Sequence, residues 1–210
     1  MSAREEIMSR LRSALSDAPE APEVQRTYRR ASELTREQLI EQLVDRLVDY
    51  KANVDVVPSA DAAATIAARL AAASSYVVPA GLDAAWLAQI PASARRVIDS
   101  PEHPTSVEDL DAIDAVVTGS AVSVAESGTI VLDGSAAQGR RAISLVPDTH
   151  VCVVAASSIV QLLPEALPRL DITRPQTWIS GPSATSDIEL ERVEGVHGPR
   201  NLAVVILADA

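Results

Sequence analysis

Short apolar runs of strand length, spaced by helical patterns and turns, constrain this chain most: Val54–Val57, Tyr76–Val78, Ala115–Thr118, His150–Ala155 and Leu202–Ala208. Ser59–Leu70 lies between the first two with helical character, so the front half predicts βαβ units and a parallel sheet. A short helix around Leu82–Leu87 and a weaker strand near Arg95–Ile98 continue that rhythm. It then breaks, because Ala121–Ala125 and Thr129–Leu132 are strand-like runs separated only by Glu126-Ser127-Gly128, too short for a helical crossover. An antiparallel hairpin is expected there. A helix around Ile159–Leu167 and a strand over Thr177–Ser180 complete the pattern. The fold class these elements allow is α/β, a mixed sheet flanked by helices.

Two helices precede the sheet. Ser2 and Glu5 have capping-box spacing, with Ile7, Leu11 and Leu15 on one stripe, and the pattern stops near Asp17. Thr35 and Gln38 open a stronger helix that carries Leu39, Leu43 and Leu47 and ends at about Tyr50. Ala18–Ser32 between them is rich in Pro, Glu and Arg without periodicity, which reads as a linker or a surface strap. With 210 residues, the expected organisation is residues 1–33 as an N-terminal helix and Pro-rich linker, and residues 34–210 as one domain. The first helix would contact another subunit or pack back on its own domain.

Composition narrows the function classes. There is no Phe, so Ala, Val, Leu and Ile must fill the core, and no aromatic platform for stacking bases is on offer. A net charge of −11 repels nucleic acid and anionic lipid. The single cysteine, Cys152, sits in an apolar run and by itself can hold neither an iron–sulfur cluster nor an internal disulfide. The histidines are scattered, without a second ligand at helical or loop spacing, so no metal site is expected. No run is apolar enough to span a bilayer and acids stand early in the N-terminus, which makes the cytoplasm the expected location.

Chemistry concentrates in Gly119–Arg141 and Ser180–Arg200. The fragment from Gly134 to Gly139, followed by Arg140 and Arg141, has the glycine spacing of a phosphate loop but lacks its Lys–Ser/Thr pair. What remains is a glycine-bracketed loop beside guanidinium groups that can fork onto a carboxylate or phosphate, or simply pair with nearby acids. Glu126, at the hairpin turn beside Ser127, Gly128 and Thr129, is either solvated or directed into a crevice as a base, nucleophile or anchor. Gly181, Ser183, Thr185 and Asp187 follow a strand in what reads as a tight entrance to a helical turn, suited to an anion or to capping alone. His197, flanked by Gly and Pro, is open to a ligand, whereas His103 and His150 read as structural.

Taken together, Val124-Ala-Glu-Ser-Gly-Thr129, Gly139-Arg140, Ser144-Leu-Val-Pro147 with His150, Ile179-Ser-Gly-Pro-Ser183, Thr185 with Asp187-Ile-Glu189, and Gly195-Val-His-Gly-Pro199 resemble the LUD domain of the lactate-utilisation protein C family. The match is dense over roughly the last ninety residues and only architectural before them. The resemblance implies a fold like those of ribose-5-phosphate isomerase, glucosamine-6-phosphate deaminase and the CoA transferases. It implies a subunit role in bacterial oxidation of L-lactate to pyruvate, beside two partner proteins that carry iron–sulfur clusters, with no cofactor on this chain. Under it, Glu126 and His197 form an acid–base or ligand-orienting pair, while Ser127, Gly128, Thr129, Gly139, Arg140, Gly181, Ser183, Thr185 and Asp187 bind a small carboxylate or phosphate. Two other readings stay open: an independent enzyme or binding protein for a sugar phosphate or acyl-CoA, and a scaffold whose signature residues lock loops.

Overall fold

The computed structural model describes residues 2–17, 22–186, 192–194 and 197–210. Its strands in chain order are β1 Asn53–Val57, β2 Ser75–Pro79, β3 Arg95–Asp99, β4 Ala115–Thr118, β5 Val122–Val124, β6 Thr129–Leu132, β7 Thr149–Ala155, β8 Ile159–Val160, β9 Thr177–Ile179, β10 Ala184–Ser186, β11 Arg192–Glu194 and β12 Asn201–Leu207. The α-helices are α1 Ala3–Ala14, α2 Arg36–Asp49, α3 Ala62–Arg69, α4 Val107–Asp111 and α5 Leu163–Ala166.

The expected α/β class is observed, and its mixed character is divided between sheets. A six-stranded sheet, ordered β1-β12-β7-β4-β2-β3, is parallel throughout. A four-stranded mixed sheet, β8-β5-β6-β9, holds the hairpin. β10 and β11 form a separate antiparallel pair. Residues of β2 and β4 are buried along their length, as a parallel sheet covered on both faces requires. On one face, Ile66 and Leu70 of the α3 region pack with Leu82 and Leu87 against Val151, Val153 and Val205. On the other, Leu43 and Leu47 of α2 join Ile130 and Leu132 of the mixed sheet over Cys152, Val154, Val204 and Ile206. Aliphatic side chains therefore do fill the core.

Both predicted capping boxes form, Ser2 with Glu5 and Thr35 with Gln38. The hairpin spans β5 and β6 with the expected turn. The segment read as a helix around Ile159–Leu167 is corrected: Ile159 and Val160 form β8, parallel to β5, and helix begins only at Leu163. Pairing with β5 outweighs helical periodicity for these β-branched residues, and Pro164 suits a first turn. The helix Val107–Asp111, capped by Ser106, and the strands β10 and β11 were not anticipated.

The N-terminal helix α1 buries none of its residues, so Ile7, Leu11 and Leu15 keep their stripe exposed. The following strap does touch the domain. Arg29 pairs with Glu126, and the Ser32 N–H donates to Glu165 Oε1 at 3.1 Å.

Candidate functional site

The hairpin turn is built around close packing rather than an opening. Gly128 has φ +62°, and a Cβ there would stand 2.7 Å from Arg46 Cβ on α2. Gly181, on the loop after β9, has φ +87°, and its Cβ would stand 2.5 Å from Tyr50 Cβ. Both left-handed glycines thus let loops lie against the end of α2 where no side chain fits. Hydroxyls tie the loops together: Ser127 Oγ meets Thr129 Oγ1 at 2.8 Å, and Thr129 Oγ1 meets Ser180 Oγ at 2.8 Å. Glu126 is held from outside the turn, its N–H donating to O of Gln161 after β8 at 3.1 Å and its carboxylate paired with Arg29.

A cleft of about 280 Å³ lies on the other side of the Ser180 loop. Its polar lining comes from Arg141 and Ser144 on the turn before β7, His150 on β7, Gln176, Ser180 and Ser183 around β9, and His197, with the Trp178 ring beside them. Ser183 closes the cleft's rim locally. Its Oγ accepts the His197 N–H at 2.9 Å and its own N–H donates to Pro199 O at 2.8 Å, so the chain before β12 is pinned to the loop after β9. The His197 ring remains exposed.

His150 is the unexpected member. It is 1 % exposed, and burial alone pushes its imidazole down to about 4, so it is neutral at physiological pH. Its Nε2 lies 2.8 Å from Thr118 Oγ1. Thr118 in turn donates to Cys152 Sγ at 3.9 Å, and Cys152 donates to Gly119 O at 3.9 Å. The neutral imidazole and the Thr118 hydroxyl thus share one hydrogen bond inside the sheet, next to the Cys152 thiol. Burial pushes the Cys152 thiol up to about 12, with Thr118 opposing, so it stays protonated at neutral pH.

Arg140 stands elsewhere. Its Nε and Nη2 fork onto Asp99 at 2.9 Å and 2.8 Å, and Nη2 also donates to Thr105 O. Burial raises Asp99, yet the Arg140 fork and the Thr105 N–H together hold its carboxyl below the usual carboxylate range. Arg140 is thereby committed to a protein carboxylate.

The structure brings Gly181, Ser183 and His197 to one cleft and leaves Glu126 outside its lining. The Glu126 carboxylate pairs with Arg29 of the strap, on a hairpin turn that packs against α2, whereas His197 lines the cleft. Ser127, Gly128 and Thr129 brace the loops behind it, and Gly139 and Arg140 line an adjoining groove. Thr185 falls in β10, where it pairs with Val193, and Asp187 lies outside the described residues. Arg141, one of the two arginines expected to meet an anion, lines the cleft, whereas Ser144, His150, Gln176 and Trp178 were not anticipated as lining residues. A signal existed for His150, a polar residue on the inward face of an otherwise apolar strand, where a buried imidazole needs a partner. Among the described residues no three His, Cys, Asp or Glu side chains converge as metal ligands. No helix among them is long and apolar enough to cross a membrane.

Comparison with known proteins agrees with the motif order. A sequence model described as the LUD domain matches residues 40–207. A relative named lactate utilization protein C from Deinococcus radiodurans is 43 % identical over 190 residues, covering 89 % of this chain and 87 % of that protein. The protein of the same name from Bacillus subtilis is 34 % identical over 119 residues, and there the alignment covers 53 % of this chain and 49 % of the relative. A crystal structure of a DUF162 family protein from Deinococcus radiodurans superposes with a TM-score of 0.71 at 40 % identity, covering 82 % of this chain and 98 % of that one.

Proposed function

This chain belongs to the LUD-domain family, and we propose that it serves L-lactate utilisation as a subunit of a system that oxidises L-lactate to pyruvate. The observation that carries the reading is a relative named for lactate utilisation that is 43 % identical over nearly the full length of both proteins. The chemistry releases two electrons and two protons per lactate. Two iron–sulfur partner proteins would take the electrons, since a single buried cysteine holds no cluster.

The cleft supplies what a small hydroxy acid needs in order to be held. Arg141, in place of the committed Arg140, would fork onto the carboxylate. The neutral ring of His150, which lines the cleft, would take the proton of the α-hydroxyl. The exposed ring of His197 at the rim would exchange protons with solvent. Glu126 would act at a distance, as the anchor of the strap through Arg29.

Deletion of the gene tests the pathway. Growth on L-lactate and lactate-dependent pyruvate formation should both fall, and unchanged values for both would refute the proposal. Complementation with His150→Gln or His197→Gln should restore the protein level without restoring growth.

A further inference from the structure

The cleft does not end at Arg141. An adjoining groove of about 350 Å³ shares Arg141, Ser144 and Thr177 with it, and is further lined by Leu132, Asp133, Arg140 and Arg174. Three arginines thus line one groove in a chain of net charge −11. The acids near them are held by their own turns or pairs, and Asp171 also attracts Arg174. Asp133 Oδ1 accepts the Ser135 N–H at 3.0 Å, Asp171 Oδ1 accepts from Thr173 Oγ1 at 2.6 Å, and Asp99 holds Arg140.

Two of the three arginines keep donors to spare. Arg174 Nη2 donates to Gly134 O at 2.9 Å, which stations the guanidinium at the edge of the glycine-bracketed loop. The Arg141 guanidinium makes no hydrogen bond or ion pair among the described residues, and its backbone is set by the turn Arg141–Ser144, whose Ser144 Oγ donates to Arg141 O at 3.0 Å. The pairing of Leu132 with Thr177 across β6 and β9 gives the groove a rigid wall between these two side chains. A planar fork with unshared donors matches the oxygens of a phosphoryl group, and a pair of forks across a groove matches a doubly charged anion better than a single carboxylate.

We infer that the groove between Arg141 and Arg174 is an anion subsite for the phosphoryl group of a phosphorylated small molecule, whose other end reaches the cleft at His150 and His197. Space agrees, because cavities of roughly 300–1,000 Å³ suit ligands much larger than a three-carbon acid. The inference stands on the arginines and does not rest on the lactate reading: it can fail while deletion still abolishes growth on L-lactate, and it can hold if growth is unchanged.

Inorganic pyrophosphate is the probe, measured on the purified full chain by thermal shift and calorimetry at about 0.15 M salt, where unspecific surface attraction is screened. Saturable stabilisation of the wild type is expected, weakened about tenfold or more by Arg174→Ala and lost in Arg141→Ala/Arg174→Ala. Arg95→Ala, which removes an equal charge from the edge strand β3, should leave binding unchanged. Circular dichroism and the ligand-free melting temperature establish that each variant is folded. Absence of stabilisation in the wild type, survival of binding in the double variant, or equal loss in Arg95→Ala would each overturn the subsite. Malonate supplies the carboxylate arm, and binding as tight as that of pyrophosphate would overturn the phosphoryl assignment.

Discussion

The hairpin turn at residues 126–129 and the loop around residues 180–183 carry neighbouring parts of one sequence signature, yet they do opposite work. The turn is closed: Gly128 lies under Arg46, the Ser127 and Thr129 hydroxyls bond inward, and Glu126 is clasped by the strap. The loop is closed on one side only, with Gly181 against Tyr50 and Ser183 facing the cleft beside His197. A signature is therefore partly scaffold and partly lining, and residue type alone does not separate the two. Glu126 and Gly128 draw attention in the sequence but hold the walls in this fold, and the cleft is lined by Arg141, Ser183 and His197 together with His150 and Gln176, which looked ordinary.

Substitutions that strike the scaffold should cost stability, while those in the lining should not. The largest effect is expected for Arg140→Ala, which leaves Asp99 buried and unpaired and should cost about 3–5 kcal/mol in urea unfolding. A loss below about 1 kcal/mol would return Arg140 to the list of ligand-binding candidates. Gly181→Ala comes next, since it combines a left-handed backbone with a Cβ 2.5 Å from Tyr50, and a drop of about 3 kcal/mol is expected. If its unfolding midpoint matched that of the wild type, the view of this loop as packed scaffold on its α2 side would fail.

Acid should weaken the fold through His150. The folded ring titrates near 4 against an ordinary 6.5, so the unfolded chain binds the proton first and stability falls as pH drops below about 6.5, the loss ending near pH 4. Between pH 7 and pH 5 this contribution is about 2 kcal/mol. His150→Gln should flatten that part of the stability curve, and an unchanged slope would mean that the ring is not buried neutral. The smallest effect belongs to Glu126→Gln. It removes only an exposed ion pair with Arg29, worth at most about 1 kcal/mol, and should leave ligand binding in the cleft unchanged. Loss of cleft binding in this variant would break the contrast between the two regions.

Legibility followed the range of the forces involved. Capping boxes and the Glu126-Ser127-Gly128 turn were readable because their partners lie within a few residues. Strands β2, β4, β7 and β12 were readable from runs of aliphatic residues that only burial on both faces explains, and the edge strand β1 from its short valine-rich run. Strand β8 was not, because Ile159 and Val160 take strand form from a pairing with Ser123 and Val124, far away in the chain. Arg140 and Arg141 show the same limit at the site. They are adjacent and chemically identical, and what separates them is that Asp99, on β3, lies within reach of one and not of the other.

The sequence by itself determined the α/β class, the aliphatic core, the capped helices and the family signature, since these depend on local patterning and on residue types in order. The tertiary structure alone decided which signature residues face a ligand. That choice rests on contacts between distant segments: α2 over Gly128 and Gly181, the strap over Glu126, and Thr118 beside His150. Burial and pairing of this kind set the charge of His150 and the commitment of Arg140, and neither is written in the neighbours of those residues along the chain.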